Sequence, residues 1–400
     1  MAIILDKLRE YRVHREREKW AGVLAAAVSA SPYPPASTLL ELRELGLDFL
    51  PKTPRELLLE AKTRKFKELV EECKQAQLMG RKDSIKYLAE KYLNDIKNNL
   101  VTLDIHVMGF SEILGWLGLF APLFFLCSVI FVPLEQVKLL IMSSLIISII
   151  VSLLFFSGKT PREFSLPSPP PYYFLPLLFT PIALLVLPLS VSLLVTSAIT
   201  AVLLYFHQKK LLSYIDIAER IISRATGSNL FPIVLGRKLR PRDLLSKKFW
   251  GFAGILLKAL YLLLTCGSEK YYENASRLLD FFKEYKFYMN RFREKASATY
   301  FYALIFVGIT GLSIAWTYSM YIELSQISVP TGEIGAISIP DVRSLDFLID
   351  ATLVAASLSF SLAEAVMRDG NPLYFPLYTP LLLLTAYSAF YIGVNYIKLV

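Results

Sequence analysis

Two long apolar stretches set the terms on which this chain can fold. They run from Met108 to Phe206 and from Thr299 to Val400, and both far exceed the core helix of a soluble domain. The flanking stretches, Met1–Val107 and His207–Ala298, hold most of the charge. A composition that is 54% hydrophobic is too apolar for an ordinary soluble chain, and 19% charged is too much for a bundle lying wholly in lipid. Segregation along the sequence reconciles the two. It gives four segments: a first cytoplasmic helical domain at 1–107, a transmembrane segment at 108–206, a second cytoplasmic helical domain at 207–298 and a transmembrane segment at 299–400.

A spanning helix needs about 20 apolar residues to cross about 30 Å of hydrocarbon. Met108–Val132 and Val137–Ser157 qualify, joined by the short turn Pro133–Gln136. Pro171–Phe206 is too long for a single span at about 1.5 Å per residue. Pro188 near its middle predicts a tight hairpin of two short spans. Thr299–Ile322, Phe347–Val366 and Pro372–Ile397 bring the expectation to about seven spans in an all-α polytopic protein. With the N-terminus cytoplasmic, Lys138, Arg343 and Lys398 are the only ones of 43 lysines and arginines left outside. Phe249–Cys266 is also apolar enough to raise the question of a span. Lys258 at its centre favours a buried helix of the second domain, or one at a subunit interface. Trp20–Ala30 has the look of a signal-peptide core, but Asp6, Glu10, Glu16 and Glu18 precede it and it is rich in alanine. Leu5–Ser29 is read instead as an amphipathic helix.

The charged segments carry an internal repeat of layout. Setting Gly80 against Gly267, an offset of 187, aligns a helix-length segment before each glycine, Arg64–Met79 and Gly251–Cys266. A long amphipathic helix follows each, Lys82–His106 and Glu269–Ala298, and leads directly into a span. Glycine suits the turn because it accepts a left-handed backbone. If the copies are equivalent they lie on one side of the membrane, and an even number of spans separates them.

In this layout the chain resembles the inner-membrane platform proteins of type II secretion and type IV pilus machines, in the branch that serves archaella and archaeal pili. The residues carrying the resemblance are RELLLEAKTRKFKELVEECKQAQLMGRKDSIKYLAEKY, from Arg55 to Tyr92, and the weaker echo from Lys247 to Leu279. The resemblance implies a non-catalytic platform in the cell membrane that couples a cytoplasmic assembly ATPase to extraction and polymerisation of pilin-like subunits. It also implies a homo-oligomer, a dimer in the simplest case.

Catalytic signatures are missing. There is no GxxxxGK[ST] loop, HExxH or GxSxG, and Cys73, Cys127, Cys266, His14, His106 and His207 are too scattered for a metal site or a disulfide framework. No cofactor, metal or enzymatic activity is expected. Two features remain as candidate sites. Arg237, Lys238, Arg240, Arg242, Lys247 and Lys248 are clustered with Asp243 as the only acid. They form either a headgroup-facing loop or a docking surface for an acidic ATPase; nucleic acid is a poor partner so close to a membrane. The intramembrane acids Glu112, Asp350 and Glu364 either snorkel to the interface or make polar contacts between helices. Glu112 stands where the first domain enters the bilayer and is the leading candidate for such a contact. The competing class is a transporter, for which Pro176, Pro181, Pro376 and Pro380 would be helix breaks, although no midplane charge accompanies them.

Overall fold

The computed structural model describes residues 2–59, 62–115, 161–236, 239–267, 269–326 and 342–396, with isolated positions between 136 and 150. Most of the first two expected spans, Met108–Val132 and Val137–Ser157, therefore lies outside the described residues. Among those described, every regular element is helical. The chain divides into two compact units, one of Met1–Val101 with Gln208–Arg291 and one of Thr102–His207 with Phe292–Val400. Most of each charged segment thus belongs to the same unit.

That first unit is built around α1 (Ala2–Ala30), which packs against α2 (Pro35–Glu44), α4 (Arg64–Met79) and α8 (Gly251–Cys266). The alanine-rich stretch explains why one helix can serve three neighbours. Ala21, Leu24, Ala25, Ala27 and Val28 are fully buried, and small side chains let helices on several sides approach closely. At Gly22 an added Cβ would sit 2.9 Å from Cβ of Tyr92, so the approach there depends on the missing methyl. The C-terminal end of α1 is held by Lys82, whose ammonium donates to the carbonyls of Val28 (3.3 Å), Ser31 (2.6 Å) and Tyr33 (2.6 Å). A lysine at this end complements the helix dipole and satisfies carbonyls that no helical N–H can reach.

The two helix–glycine–helix arrangements share helix length and a positive φ at the glycine, but Gly80 is left-handed with ψ of 15° whereas Gly267 has ψ of 150°. Helices α4 and α8 are both 16 residues long, and Gly80 and Gly267 that follow them have φ of +67° and +63°. Leu69, Val70, Cys73 and Ala76 on α4 are buried, as are Leu256, Leu257, Leu260 and Leu263 at the same offset on α8. The long helices that follow are α5 (Asp83–Gly115) and, after Gly267, α9 (Tyr271–Gln326). The hydroxyl of Tyr92 on α5 donates to the Lys65 carbonyl (3.0 Å) and to Glu68 (2.9 Å), tying α5 to α4. On α9, Phe252 of α8 stacks against Phe282 and Tyr285, with ring centroids 5.0 and 4.5 Å away. Lys286 pairs with Asp216 and Glu219, both at 2.6 Å, in the C-terminal half of α6 (Leu189–Ala225). Phe249–Cys266 is a buried helix of this unit, as Lys258 suggested. The helix within it, Gly251–Cys266, packs on α1, and eleven of its 16 residues are buried.

Three described helices are long and apolar enough to cross a membrane: α6, α9 over Tyr271–Glu323, and α10 (Val342–Asp369) over Asp346–Asp369. The expected hairpin at 171–206 takes a different form. The chain does turn at Leu184–Pro188, and the Thr180 and Thr196 hydroxyls are 2.9 Å apart across the bend. The first limb, however, consists of a 3-10 turn at Pro171–Phe174 and two four-residue helical turns, Leu175–Leu178 and Thr180–Ala183. Pro176 and Pro181 each remove a backbone donor and block the preceding turn, so no longer helix forms. Likewise, Pro372–Leu377 is a 3-10 turn, and the last helix, α11, begins only at Thr379 and ends at Tyr396.

Within the second unit, helices approach through small residues. A Cβ on Gly311 of α9 would lie 2.4 Å from the Ala386 carbonyl oxygen on α11, and one on Gly393 would lie 2.4 Å from Cβ of Ala315. Thr352, Ser357 and Ser359 on α10 donate to the carbonyl four residues back, which satisfies their hydroxyls without water. The turn after α10 is fastened to the segment 166–168. The Leu166 N–H donates to the Asp369 carbonyl (2.8 Å), and the Tyr374 hydroxyl donates to the Pro167 carbonyl (3.1 Å).

Candidate functional site

The basic segment is a short structured loop pinned by apolar anchors. Pro241 presets the first residue of a 3-10 turn, Pro241–Leu245, and the Asp243 carboxylate accepts the Arg240 N–H at 2.7 Å. Leu244 is buried below it. Further along, Phe249 is buried and meets Tyr214 edge-on at 5.9 Å, while the indole of Trp250 donates to the Leu211 carbonyl at 3.1 Å. Between these anchors Arg240, Arg242, Lys247 and Lys248 are all exposed, and none makes an ion pair with a described residue. The only nearby acid in the segment is used as a cap. What results is a fixed backbone carrying four uncompensated cations, which can attract an anionic surface and steer it to one register. Arg237 and Lys238, predicted as part of the same site, lie outside the described residues.

A related turn occurs in the first charged segment, and the sequence reading had missed it. Pro54–Leu59 forms helix α3. Its opening residues, Pro54, Arg55, Glu56, Leu57 and Leu58, stand at the 187 offset from Pro241, Arg242, Asp243, Leu244 and Leu245. Glu56 accepts the Lys52 N–H at 2.9 Å, much as Asp243 accepts that of Arg240, and Leu57 is buried like Leu244. The shared Pro-Arg-acid-Leu-Leu string was the available signal.

The intramembrane acids separate into placed and unplaced. The side chain of Glu112, the leading candidate, lies outside the described residues. Glu364 on α10 is fully buried; the Thr299 hydroxyl of α9 donates to its Oε2, and its Oε1 has no partner among the described residues. Asp350 accepts from the hydroxyl of Tyr387 on α11. At the end of α10, Asp369 is fully buried and takes Arg293 of α9 at 3.2 Å and the Tyr378 hydroxyl at 2.6 Å. Asp350 and Glu364 therefore make polar contacts with neighbouring helices. Where water is scarce, such contacts fix which helix packs on which.

The described residues contain no group of three His, Cys, Asp or Glu side chains placed to hold a metal. The fold and these sites define an all-helical protein with three helices suited to a membrane and an exposed basic loop on its other unit. No family model, curated protein or solved structure matches the chain.

Proposed function

We propose that this chain is a non-catalytic membrane platform of a type IV pilus, archaellum-like or type II secretion machine. A cytoplasmic ATPase docks on it and supplies the free energy, and the platform turns that into extraction and polymerisation of pilin-like subunits. The observation that carries the reading is the union of residues 1–101 and 208–291 in one compact unit. Segments packed together lie on one side of a bilayer, so the apolar stretch between them crosses an even number of times. With the N-terminus cytoplasmic, the unit becomes a single cytoplasmic platform, and the chain is a multi-pass protein of the cell membrane with about seven spans. The exposed cations of the 240–248 loop are the ATPase-docking surface, and a homo-oligomer, a dimer in the simplest case, presents it more than once.

Co-purification decides the matter. The full chain, solubilised in detergent at low ionic strength, should retain a co-expressed secretion-type assembly ATPase and lose it as salt screens the cations. No retention at any salt concentration would count against the platform reading.

A further inference from the structure

One cation near the basic loop is not accounted for by packing. Lys258 stands in the middle of α8 between Leu257 and Ala259, both fully buried, and is itself only 8% exposed. Among the described residues no hydrogen bond and no ion pair reaches its ammonium. The four-carbon stem carries the charge to one defined place: a Cβ built on Gly46 would lie 3.8 Å from Nζ, with nothing else within 4 Å. Gly46 is exposed and has φ of +90°, so the ammonium ends beside bare backbone that faces open space. Burial pulls this lysine below its ordinary value; Asp48 opposes the shift from beyond ion-pair distance, and the repulsion of Lys247 adds to it. A methionine would fill the same volume in α8 without the cost of partly desolvating a charge.

We propose that the Lys258 ammonium forms an anion-binding notch at Gly46, which receives an aspartate or glutamate side chain of an acidic protein docked on the basic loop. The charges favour this occupant. Arg240, Arg242, Lys247 and Lys248 are exposed and unpaired in the described residues, while Asp243 is already committed to the turn. One carboxylate entering at the glycine gives this ammonium a charge-assisted hydrogen bond that no group among the described residues supplies. The notch itself is read from geometry alone; only the identity of the partner as an ATPase rests on the platform reading.

The test uses the full chain in nanodiscs of neutral lipid, with hexaglutamate peptide as the probe and the midpoint of thermal unfolding as the readout. A ligand that binds only the folded state raises that midpoint. The wild type should rise with peptide concentration. Lys258→Met should start from a higher midpoint and lose the response, and Lys258→Arg should keep it. In co-purification Lys258→Met should retain at least about tenfold less ATPase, the size of a lost charge-assisted contact. A peptide response in Lys258→Met equal to that of the wild type, or a lower starting midpoint, refutes the notch. So does a Lys258-dependent rise on adding anionic lipid with none from the peptide, since the occupant is then a headgroup. A Lys258-dependent peptide response with no ATPase retained by the wild type upholds the notch and removes the platform reading.

Discussion

Two glycines one turn apart on α9 should respond oppositely to the same substitution. At Gly311 the β-carbon of an alanine would lie 2.4 Å from the Ala386 carbonyl oxygen, 3.0 Å from Cβ of Ala389 and 3.1 Å from the Phe390 nitrogen. Ordinary contact begins near 3.4 Å, so α9 and α11 must separate by about an ångström, and two of the three obstructing atoms belong to backbone. Overpacking of this kind costs about 1–3 kcal/mol. Against that, alanine is favoured over glycine in a helix by about 1 kcal/mol. The clash wins at Gly311. At Gly308 the nearest atom is the Thr385 methyl at 3.6 Å, already an ordinary contact, so only the propensity gain remains. The propensity gain is common to both, so the two variants should differ by the overpacking cost of about 1–3 kcal/mol, on the order of 1–4 °C in the unfolding midpoint for a chain of this size. Thermal unfolding of the purified protein in detergent, followed by circular dichroism, measures the pair directly. A Gly311→Ala midpoint equal to or above that of Gly308→Ala would mean that α9 and α11 do not meet at this distance.

Three further outcomes follow from other parts of the molecule. Reversing both charges in Arg240→Glu with Arg242→Glu should cut ATPase co-purification at least about tenfold at low salt and less at high salt. Folding should be unchanged, because the Asp243 cap and the Leu244 anchor are untouched; undiminished recovery at low salt would return the loop to a headgroup-facing role. The Lys91 ammonium holds the Glu68 carboxyl below its ordinary range, against the opposing effect of partial burial. As pH falls, the unfolded chain therefore takes up that proton first, so the contribution is full above about pH 4.5 and is lost through the lower folded value. Glu68→Gln should flatten acid unfolding in that window, and an unchanged acid limb would show that the pair contributes nothing. Reporter fusions within 1–101 and 208–291 should both read cytoplasmic and one at Gly332 external; an external signal from either of the first two would break the even-crossing argument.

What could be read from sequence was what is written locally. The turns at Gly80 and Gly267 were legible because both need a positive φ that glycine alone accepts freely, and α8 was legible as a domain helix because Lys258 is a poor tenant of lipid. The bend at Pro188 was visible too, yet Pro176 and Pro181, read only as faint transporter breaks, also decided that the first limb would be single turns. Partners distant in sequence were not legible. An acid in a span announces that it needs a contact but not which one, so the reach of Thr299 to Glu364 and of Tyr387 to Asp350 could not be foreseen. The same holds for the packing of α1 on α8, since an alanine-rich face specifies closeness without naming the neighbour.

That packing also sets a schedule. A β-carbon on Gly251 would lie 3.1 Å from the Trp20 ring, so these two positions close on each other although about 230 residues separate them. At roughly 5–20 residues per second, the ribosome delivers α8 roughly ten to fifty seconds after α1. For that interval the alanine face and the indole that α8 will cover stand bare in a newborn chain. Synthesis halted before residue 251 would leave the α8-facing side of α1 uncovered, which makes truncated chains clients for chaperones and proteases in a way the finished protein is not.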